Sequence, residues 1–353
     1  MKRSGKFFRV FFLCFLMLAF LLTSLSFARK KNPLAAWQPK FNARKAKYYF
    51  KVSNVSHPVI QGIRAGYRIR DLLWEKSNGQ LGMKYYPLSQ LGGEVEVFNM
   101  LQTGTVQGMA ISSVAAGNFG AKMGIVNLPF VINTFKKLDA FAANKELFQP
   151  FLDGMADKGI MGVDITGYGS YGWASKKPIR SLADAAKVRF RIAEAPTQKD
   201  TYAAWGLHPV VMPWPDVPVA LKQGVIEGLD HTPMVCWITK KFEICKYYTF
   251  VNYAQGLFIW IFNEKWFNKL PGNMQKIFLD VVHTECKHTR QLTKQQELDS
   301  IAAAKKAGIT FITLPASEIN KLKTLSKKVY KRWAPLIGQK YFDKVKAYMD
   351  KLD

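Results

Sequence analysis

Two arginines near the end of a predicted strand could bind an anion. Val188 to Ile192 is typical of a strand, and Arg189 and Arg191 are two residues apart, so their side chains are expected on one face. A planar guanidinium donates two parallel, charge-assisted hydrogen bonds to a carboxylate, which lysine does not reproduce. The pattern predicts a carboxylate site here. The alternative is a surface ion pair with a neighbour such as Glu194.

A pattern of one leucine and two glycines occurs twice. Leu-x-x-Gly-x-x-x-Gly begins at Leu101 and again at Leu221. The first glycine can end a helix in the left-handed conformation, and the second lets the chain turn into a strand. The alternative is chance similarity between two turns. Because ligands collect at the carboxyl ends of strands in open α/β sheets, polar residues after each turn are predicted to face one cleft. These residues are Ser112, Ser113, Asp230 and His231.

Two histidines are candidates for the same cleft. Imidazole both donates and accepts hydrogen bonds, so His231 can bind a carboxylate or a hydroxyl group. The alternative is a structural histidine satisfied within the fold. His57 follows the first predicted strand, Tyr48 to Val52, at an edge that is expected to open to the cleft.

Motifs of several enzyme classes are missing from the sequence. It has no GxSxG, no Walker loop, no HExxH, and no GxGxxG after a strand. We therefore predict a protein that is not an enzyme and that needs no cofactor or metal. Cys236, Cys245 and Cys286 leave two possibilities open, either one disulfide with one free thiol or three buried thiols.

The first 28 residues have the pattern of a secretory signal. Four basic residues precede the apolar run Val10 to Leu22, and small residues follow at Ser26 and Ala28. We predict that residues 1–28 are removed on export. The alternative is an uncleaved anchor. Residues 29–46 form a basic leader without clear periodicity.

The chain is strongly basic. Fifty-one Lys and Arg residues against 25 Asp and Glu residues give a formal charge of +26, or +22 without the four basic residues of the signal. A positive field attracts anions, but it also suits an exported protein that binds polyanions or anionic surfaces. The lysines are dispersed rather than clustered, and export argues against nucleic acid as a partner.

Strands and helices alternate along the chain, which predicts parallel sheets with helical crossovers. A pattern of helical type from Pro271 to about Lys306 is long enough to brace two lobes. Strands are predicted at 48–52, 83–86, 109–111, 160–166, 188–192, 209–212 and 257–262, and shorter helices at 94–102, 197–205 and 217–223.

Several short segments carry a resemblance through their order and spacing. They are Ser77 to Gln80, Tyr86 to Glu94, Leu101 to Gly108, Leu128 to Phe130, Lys177 to Ile179, Leu182 to Asp184, Phe190 to Ile192, Gly206 to Pro213 and Ala220 to Gly228. Over roughly residues 47–345, the chain resembles the solute-binding proteins of tripartite ATP-independent periplasmic (TRAP) transporters, DctP type.

The resemblance implies a two-lobed α/β fold of the periplasmic binding protein type, with a cleft between the lobes. Lobe I is expected at 47–168 plus about 253–290, and lobe II at 169–252 plus about 291–350. The implied function is periplasmic capture of a small organic acid, a dicarboxylate or another carboxylate, for delivery to the membrane subunits of a TRAP transporter.

The resemblance also assigns individual residues. Arg191 matches the carboxylate-binding arginine of the family, which favours it over Arg189. Trp214 and Asp216 match a loop that often lines the pocket. His231 stands where the family often has asparagine.

One segment departs from the family pattern. Many members carry a second arginine where this chain has Gly167 to Trp173, a stretch without arginine. Tyr168, Tyr171 and Trp173 could offer aromatic walls instead. A second carboxylate would have one cation fewer to meet, so a monocarboxylate, a 2-oxo acid or an aromatic acid is the alternative ligand.

Overall fold

The computed structural model describes residues 34–352, which fall into two units. In the first unit, residues 34–41 contain one 3-10 turn, Ala35–Trp37. The second unit begins at Asn42, and its described residues form eleven strands. The strands are β1 (Tyr48–Ser53), β2 (Leu81–Tyr86), β3 (Gly108–Ser112), β4 (Ile160–Ser170), β5 (Gly172–Ser175), β6 (Phe190–Ile192), β7 (Val210–Val211), β8 (Gly228–His231), β9 (Tyr247–Phe250), β10 (Gln255–Asn263) and β11 (Thr310–Thr313). The predicted signal and Cys14 lie outside the described residues.

Helices alternate with the strands, as the sequence predicts. They are α1 (Gln61–Lys76), α2 (Glu94–Gln102), α3 (Ser113–Ala116), α4 (Phe135–Ala143), α5 (Lys145–Leu152), α6 (Leu182–Ala185), α7 (Pro196–Ala204), α8 (Val217–Gln223), α9 (Pro233–Ile238), α10 (Glu264–Phe267), α11 (Gly272–Lys306), α12 (Ala316–Ile337) and α13 (Gln339–Asp350). Helices α2 and α8 have the predicted bounds. None of the helices within residues 34–352 combines the length and the apolarity that a membrane span requires.

The first lobe is built on a five-stranded sheet in the order β2-β1-β3-β10-β4. Strand β1 is parallel to β2 and β3, as predicted. The prediction of parallel sheets is wrong for β10, which runs antiparallel to both β3 and β4. All nine residues of β10 are buried, which suits the central position of this continuous apolar run. Its direction is reversed because the chain re-enters the first sheet from the second.

The second lobe is built on a six-stranded sheet in the order β11-β9-β5-β8-β6-β7. The prediction of parallel sheets is also wrong for β5, which is antiparallel to β8 and β9, whereas β6 is parallel to β7 and β8. Its apolar core contains Leu229, Tyr248 and Ala304. The three cysteines Cys236, Cys245 and Cys286 are buried free thiols, so the possibility of three buried thiols is the one observed.

Helix α11 contacts both lobes, as predicted for a bracing helix. Its 35 residues extend over roughly 52 Å at 1.5 Å per residue. Arg290 pairs with Asp164 of β4 on the first lobe, with Nη1 and Oδ1 3.0 Å apart. One turn from its other end, Ala304 lies in the core of the second lobe. The helix therefore belongs to both lobes.

The last two helices lie differently from the expected lobe boundaries. Residues 291–350 were expected in the second lobe, but Trp333 of α12 and Val345 of α13 pack into the core of the first. The start of α12 contacts the second lobe instead, where Trp205 Nε1 donates to Leu322 O at 3.2 Å. An apolar helix face shows in the sequence which side is buried, but not which lobe covers it.

Candidate functional site

A cavity of about 40 Å³ lies between the two sheets, and we call it the interlobe cavity. Its first-lobe lining is Val55, Ser56, Glu94, Ser112, Val114, Tyr168 and Phe258. Its second-lobe lining is Tyr171, Arg191, Ala193, Gln198, Trp214, Asp230, His231 and Val235. The cavity therefore brings together seven of the residues that the sequence singled out, namely Ser112, Tyr168, Tyr171, Arg191, Trp214, Asp230 and His231.

Arg191 extends from β6 into the interlobe cavity and is 4% exposed. Its Nε and Nη2 both donate to Met212 O, at 3.1 and 2.9 Å. These two bonds occupy one edge of the guanidinium and orient it. Among the described residues Nη1 makes no hydrogen bond, so the Nη1–Nη2 edge remains available for a carboxylate. The guanidinium carbon lies 5.6 Å from the centre of the Trp214 ring.

The other arginine of the pair does not reach the cavity. Strand β6 begins at Phe190, so Arg189 precedes the strand and its expected position on the same face is wrong. Its exposed side chain pairs with Glu227, with Nη1 and Oε2 3.4 Å apart. Among the described residues, Arg191 forms no ion pair with Glu194, the surface partner that the sequence left open.

Glu94 is a cavity residue that we did not single out from the sequence. It is the first residue of α2, and Ser112 fixes its carboxylate. Oε1 accepts from the Ser112 N–H at 2.5 Å, and Oε2 accepts from Ser112 Oγ at 2.7 Å. Burial raises the pKa of Glu94, whereas the Ser112 hydrogen bonds and the charge of Arg191 act to lower it. Its sequence signals were its place at a predicted helix start and at the end of the segment Tyr86 to Glu94, which carries part of the resemblance.

Asp230 is held at the end of β8 by two donors. Its Oδ2 accepts from Gln198 Nε2 at 2.6 Å and from the Tyr253 hydroxyl at 2.5 Å. Burial raises the pKa of Asp230 to about 7, even though these donors and Arg191 act to lower it. Gln198 and Tyr253 were not predicted, because neither residue type signals a role at its position in the sequence.

His231 lines the cavity as a neutral imidazole. Its Nδ1 accepts from the Thr232 N–H at 2.9 Å, which leaves the proton on Nε2. Burial lowers the pKa of His231 well below its usual range, and the charges of Arg191 and Lys241 lower it further. The Trp214 ring packs against the imidazole with their centres 4.8 Å apart.

The segment without the second arginine contributes two tyrosines to the cavity. The hydroxyl groups of Tyr168 and Tyr171 are 2.6 Å apart, and burial raises the pKa of both. Trp173, expected as a third wall, does not line the cavity. It is fully buried and packs against Phe190 and Trp205 in the second lobe.

Three other predicted residues lie outside the lining. Ser113 is fully buried in the first turn after β3, and its Oγ has no hydrogen-bond partner among the described residues. Asp216 is exposed at the end of the 3-10 turn Trp214–Asp216. His57 is partly buried, and its Nδ1 accepts from the Val59 N–H at 3.1 Å.

Within residues 34–352, no group of three or more His, Cys, Asp or Glu side chains could hold a metal ion. The polar side chains of the interlobe cavity include one guanidinium, two carboxyl groups, a neutral imidazole, two phenols, two serine hydroxyl groups and one amide. Such a set can bind an anion and orient it.

Comparisons with known proteins agree with this geometry. The family of bacterial extracellular solute-binding proteins, family 7 (DctP), matches residues 53–335. The C4-dicarboxylate-binding periplasmic protein DctP of Rhodobacter capsulatus is 25% identical over 299 residues, which are 84% of this chain and 90% of that protein. The 2,3-diketo-L-gulonate-binding periplasmic protein YiaO of Escherichia coli is 24% identical over 254 residues, 70% of this chain and 76% of that protein.

Solved structures share the fold. A TRAP periplasmic solute-binding protein from Desulfovibrio salexigens, with bound orotic acid, matches with a TM-score of 0.80 at 22% identity. The match covers 86% of this chain and 99% of that chain. The two-lobed architecture predicted from the sequence is thereby confirmed.

Proposed function

We infer the function from the premise that the chain belongs to the DctP family, family 7 of the bacterial extracellular solute-binding proteins. It is a transport protein rather than an enzyme. We propose that it captures a small organic acid in the interlobe cavity and delivers it to the membrane subunits of a TRAP transporter. The relatives named for C4-dicarboxylates and diketogulonate support an organic acid as the ligand.

One observation carries this proposal, which is the free edge of Arg191 inside the interlobe cavity. The Met212 carbonyl holds the other edge, so the guanidinium is oriented before a ligand arrives. Two parallel hydrogen bonds from Nη1 and Nη2 to a carboxylate are stronger than neutral ones and select a planar acceptor. A preoriented donor also loses less side-chain entropy on binding.

Closure of the two lobes is the proposed mechanism. Arg191 and His231 belong to the second lobe, whereas Glu94 and Ser112 belong to the first, so a ligand contacts all four only when the lobes are closed. Contacts made in one state alone shift the population towards that state. The chain passes between the sheets at β4–β5, at β9–β10 and along α11, and these three connections are the proposed hinge.

Members of this family are periplasmic. We propose that residues 1–28 direct export and are then removed, which the basic start and the following apolar run support. Mass spectrometry of the exported protein tests this, because cleavage after Ala28 defines one intact mass. An intact mass that includes residues 1–28 contradicts it.

A thermal-shift experiment tests the proposed function. The exported protein, refolded to remove any carried ligand, is screened against succinate, malate, pyruvate, longer 2-oxo acids, aromatic acids, sugar acids and amino acids. A ligand of the folded state raises the melting temperature, and at 100 times its Kd it adds about 2.7 kcal/mol of stability. We expect Arg191→Ala to abolish the shift, because loss of a buried charged partner costs roughly 2–5 kcal/mol of binding.

Arg189→Ala is the matched control, since Arg189 is two residues away, exposed and outside the cavity. It should leave the ligand-induced shift unchanged. A shift that survives Arg191→Ala contradicts the site. Retention on heparin that weakens steeply with salt, without any small-acid binding, would favour the polyanion alternative that the charge of +22 suggests.

A further inference from the structure

An acid faces the cation of the interlobe cavity. Glu94 lines it from the first lobe and Arg191 lines it from the second, and their charges interact. Asp230 adds a second carboxyl group to the lining, whereas His231 is neutral. One cation therefore stands against two acidic side chains. A ligand with two carboxylates would place its second charge beside groups of the same sign.

The Glu94 carboxylate keeps acceptor capacity for a ligand. Ser112 supplies one donor to each oxygen, and a carboxylate has about four acceptor positions in all. Because Ser112 fixes both oxygens, the unused lone pairs have a defined direction at the cavity wall. A hydrogen-bond donor on the ligand would satisfy them.

The size of the cavity limits the ligand. About 40 Å³ corresponds to space for roughly three water molecules when one needs 10–15 Å³. Tyr168, Tyr171 and Phe258 enclose this space with rings that are packed against one another. A short acid fits such a cavity better than a six-carbon sugar acid.

We propose that the ligand is a small monocarboxylate with a hydroxyl or ammonium donor next to its carboxylate, bound with the carboxylate on Arg191 and the donor on Glu94. This inference rests on the proposed function and specifies its substrate class. Glu94 is then the residue that determines specificity, since it distinguishes acids of equal size by the group beside the carboxylate.

A matched series of acids tests the proposal on the unaltered protein. Calorimetric titration of the refolded exported protein compares propionate, pyruvate, both enantiomers of lactate and of alanine, and succinate. Propionate lacks the donor, and pyruvate has an acceptor in its place. We expect lactate or alanine to bind at least about tenfold more tightly than propionate and pyruvate, as for a hydrogen bond to a charged group. Lactate and alanine distinguish the hydroxyl donor from the ammonium donor.

Glu94→Gln tests the role of the residue itself. The amide keeps the length of the side chain and one acceptor for Ser112, but it removes the charge. We expect affinity for the best donor ligand to fall about tenfold while propionate binds as before. Glu96→Gln is the control, because Glu96 is exposed on the same helix and lies outside the lining.

Two results would overturn the inference and leave the proposed function intact. One is equal affinity for propionate, pyruvate, lactate and alanine, or binding of larger acids alone, with each affinity abolished by Arg191→Ala. The other is a Glu94→Gln protein that loses affinity for all acids equally. Glu94 would then act only by holding Ser112 in place, without contacting the donor group of the ligand. Binding of acids that Arg191→Ala leaves unchanged would instead reject the proposed function.

Discussion

The two copies of the leucine–glycine pattern have a similar backbone path, but they differ in the polar side chains that they contribute to the cavity. In both, a glycine of positive φ follows the end of a helix, with +76° at Gly104 and +75° at Gly224. In both, the second glycine begins a strand where a side chain would collide with a neighbour. Each strand then leads to a helix N-cap, Ser112 or Thr232, whose side-chain oxygen accepts from a backbone N–H.

The difference lies in the two residues before each N-cap. The first copy has Ala110 and Ile111, and its polar group Glu94 is supplied by a different element, α2. The second copy carries its own polar groups, Asp230 and His231, within β8. The comparison teaches that the local sequence determines the backbone path in both copies. The polar group that reaches the cavity beside the first copy comes instead from another element, α2.

The largest expected effect concerns the carboxyl group that only the second copy carries. The folded pKa of Asp230, about 7, lies above its ordinary value of 3.8, so between about pH 4 and 7 the folded state holds a proton that the unfolded state has released. The free energy of unfolding therefore falls as pH rises through this window and levels off above it. From about pH 4 to above pH 7, the free energy of unfolding of the unaltered protein should fall by at most about 4 kcal/mol more than that of Asp230→Asn.

Chemical denaturation of both proteins at a series of pH values measures this effect. Glu297, whose pKa burial also raises to about 7, is present in both proteins and cancels in the difference. Asp216→Asn, a change at an exposed carboxylate, should leave the pH dependence of the unaltered protein in place. If the free energy of unfolding of Asp230→Asn changed with pH in the same way as that of the unaltered protein, the prediction would be wrong.

The second glycines provide the next test, because both copies should respond alike. A Cβ at Gly228 would lie 2.7 Å from the Ala174 carbonyl oxygen, and one at Gly108 would lie 2.4 Å from Cδ1 of the buried Phe262. We expect Gly228→Ala and Gly108→Ala each to cost about 2–3 kcal/mol in the free energy of unfolding, measured by denaturation.

The first glycines are the control for that test. A Cβ at Gly104 or Gly224 meets no atom within 4 Å, so only the positive φ penalises a side chain there. Asparagine tolerates this conformation and should be accepted at both first positions but at neither second position. If it were tolerated at Gly108 or Gly228, close packing would not be the reason for glycine.

The smallest expected effect separates the two N-caps. Ser112→Ala removes the cap of α3 and one donor to the partly buried Glu94, whereas Thr232→Ala removes only the cap of α9. We expect the free energy of unfolding to fall by about 2 kcal/mol in Ser112→Ala and by about 1 kcal/mol in Thr232→Ala. Equal losses in denaturation experiments would show that the Ser112–Glu94 hydrogen bond adds nothing to stability.

Local patterns predicted the elements that depend on neighbours in sequence. The limits of α2 follow from its apolar spacing and the turn at Gly104, and α11 begins directly after Pro271. The reversed direction of β10 and the lobe that covers Trp333 were not predictable in this way. Both depend on which surfaces meet after the chain has crossed between the lobes.

The same distinction between local and distant interactions separates the site residues that were predicted from those that were not. The position of Arg191 in the cavity was anticipated because an arginine on a strand suits a carboxylate and the family resemblance favoured Arg191 over Arg189. Glu94 was not, because its role depends on Ser112, 18 residues away, which turns its carboxylate to the cavity wall. Trp173 shows the converse, since a plausible residue type points to the buried face of its strand.

The composition of the first-lobe core has a consequence for how the newly synthesised polypeptide folds. It joins Val97 of α2 to Met349 of α13, with β10 between them in the sequence. A polypeptide that emerges from a ribosome or a translocation channel therefore cannot complete this core until its final helix has appeared. Until α13 is present, the apolar side chains of this core lack part of their packing partners.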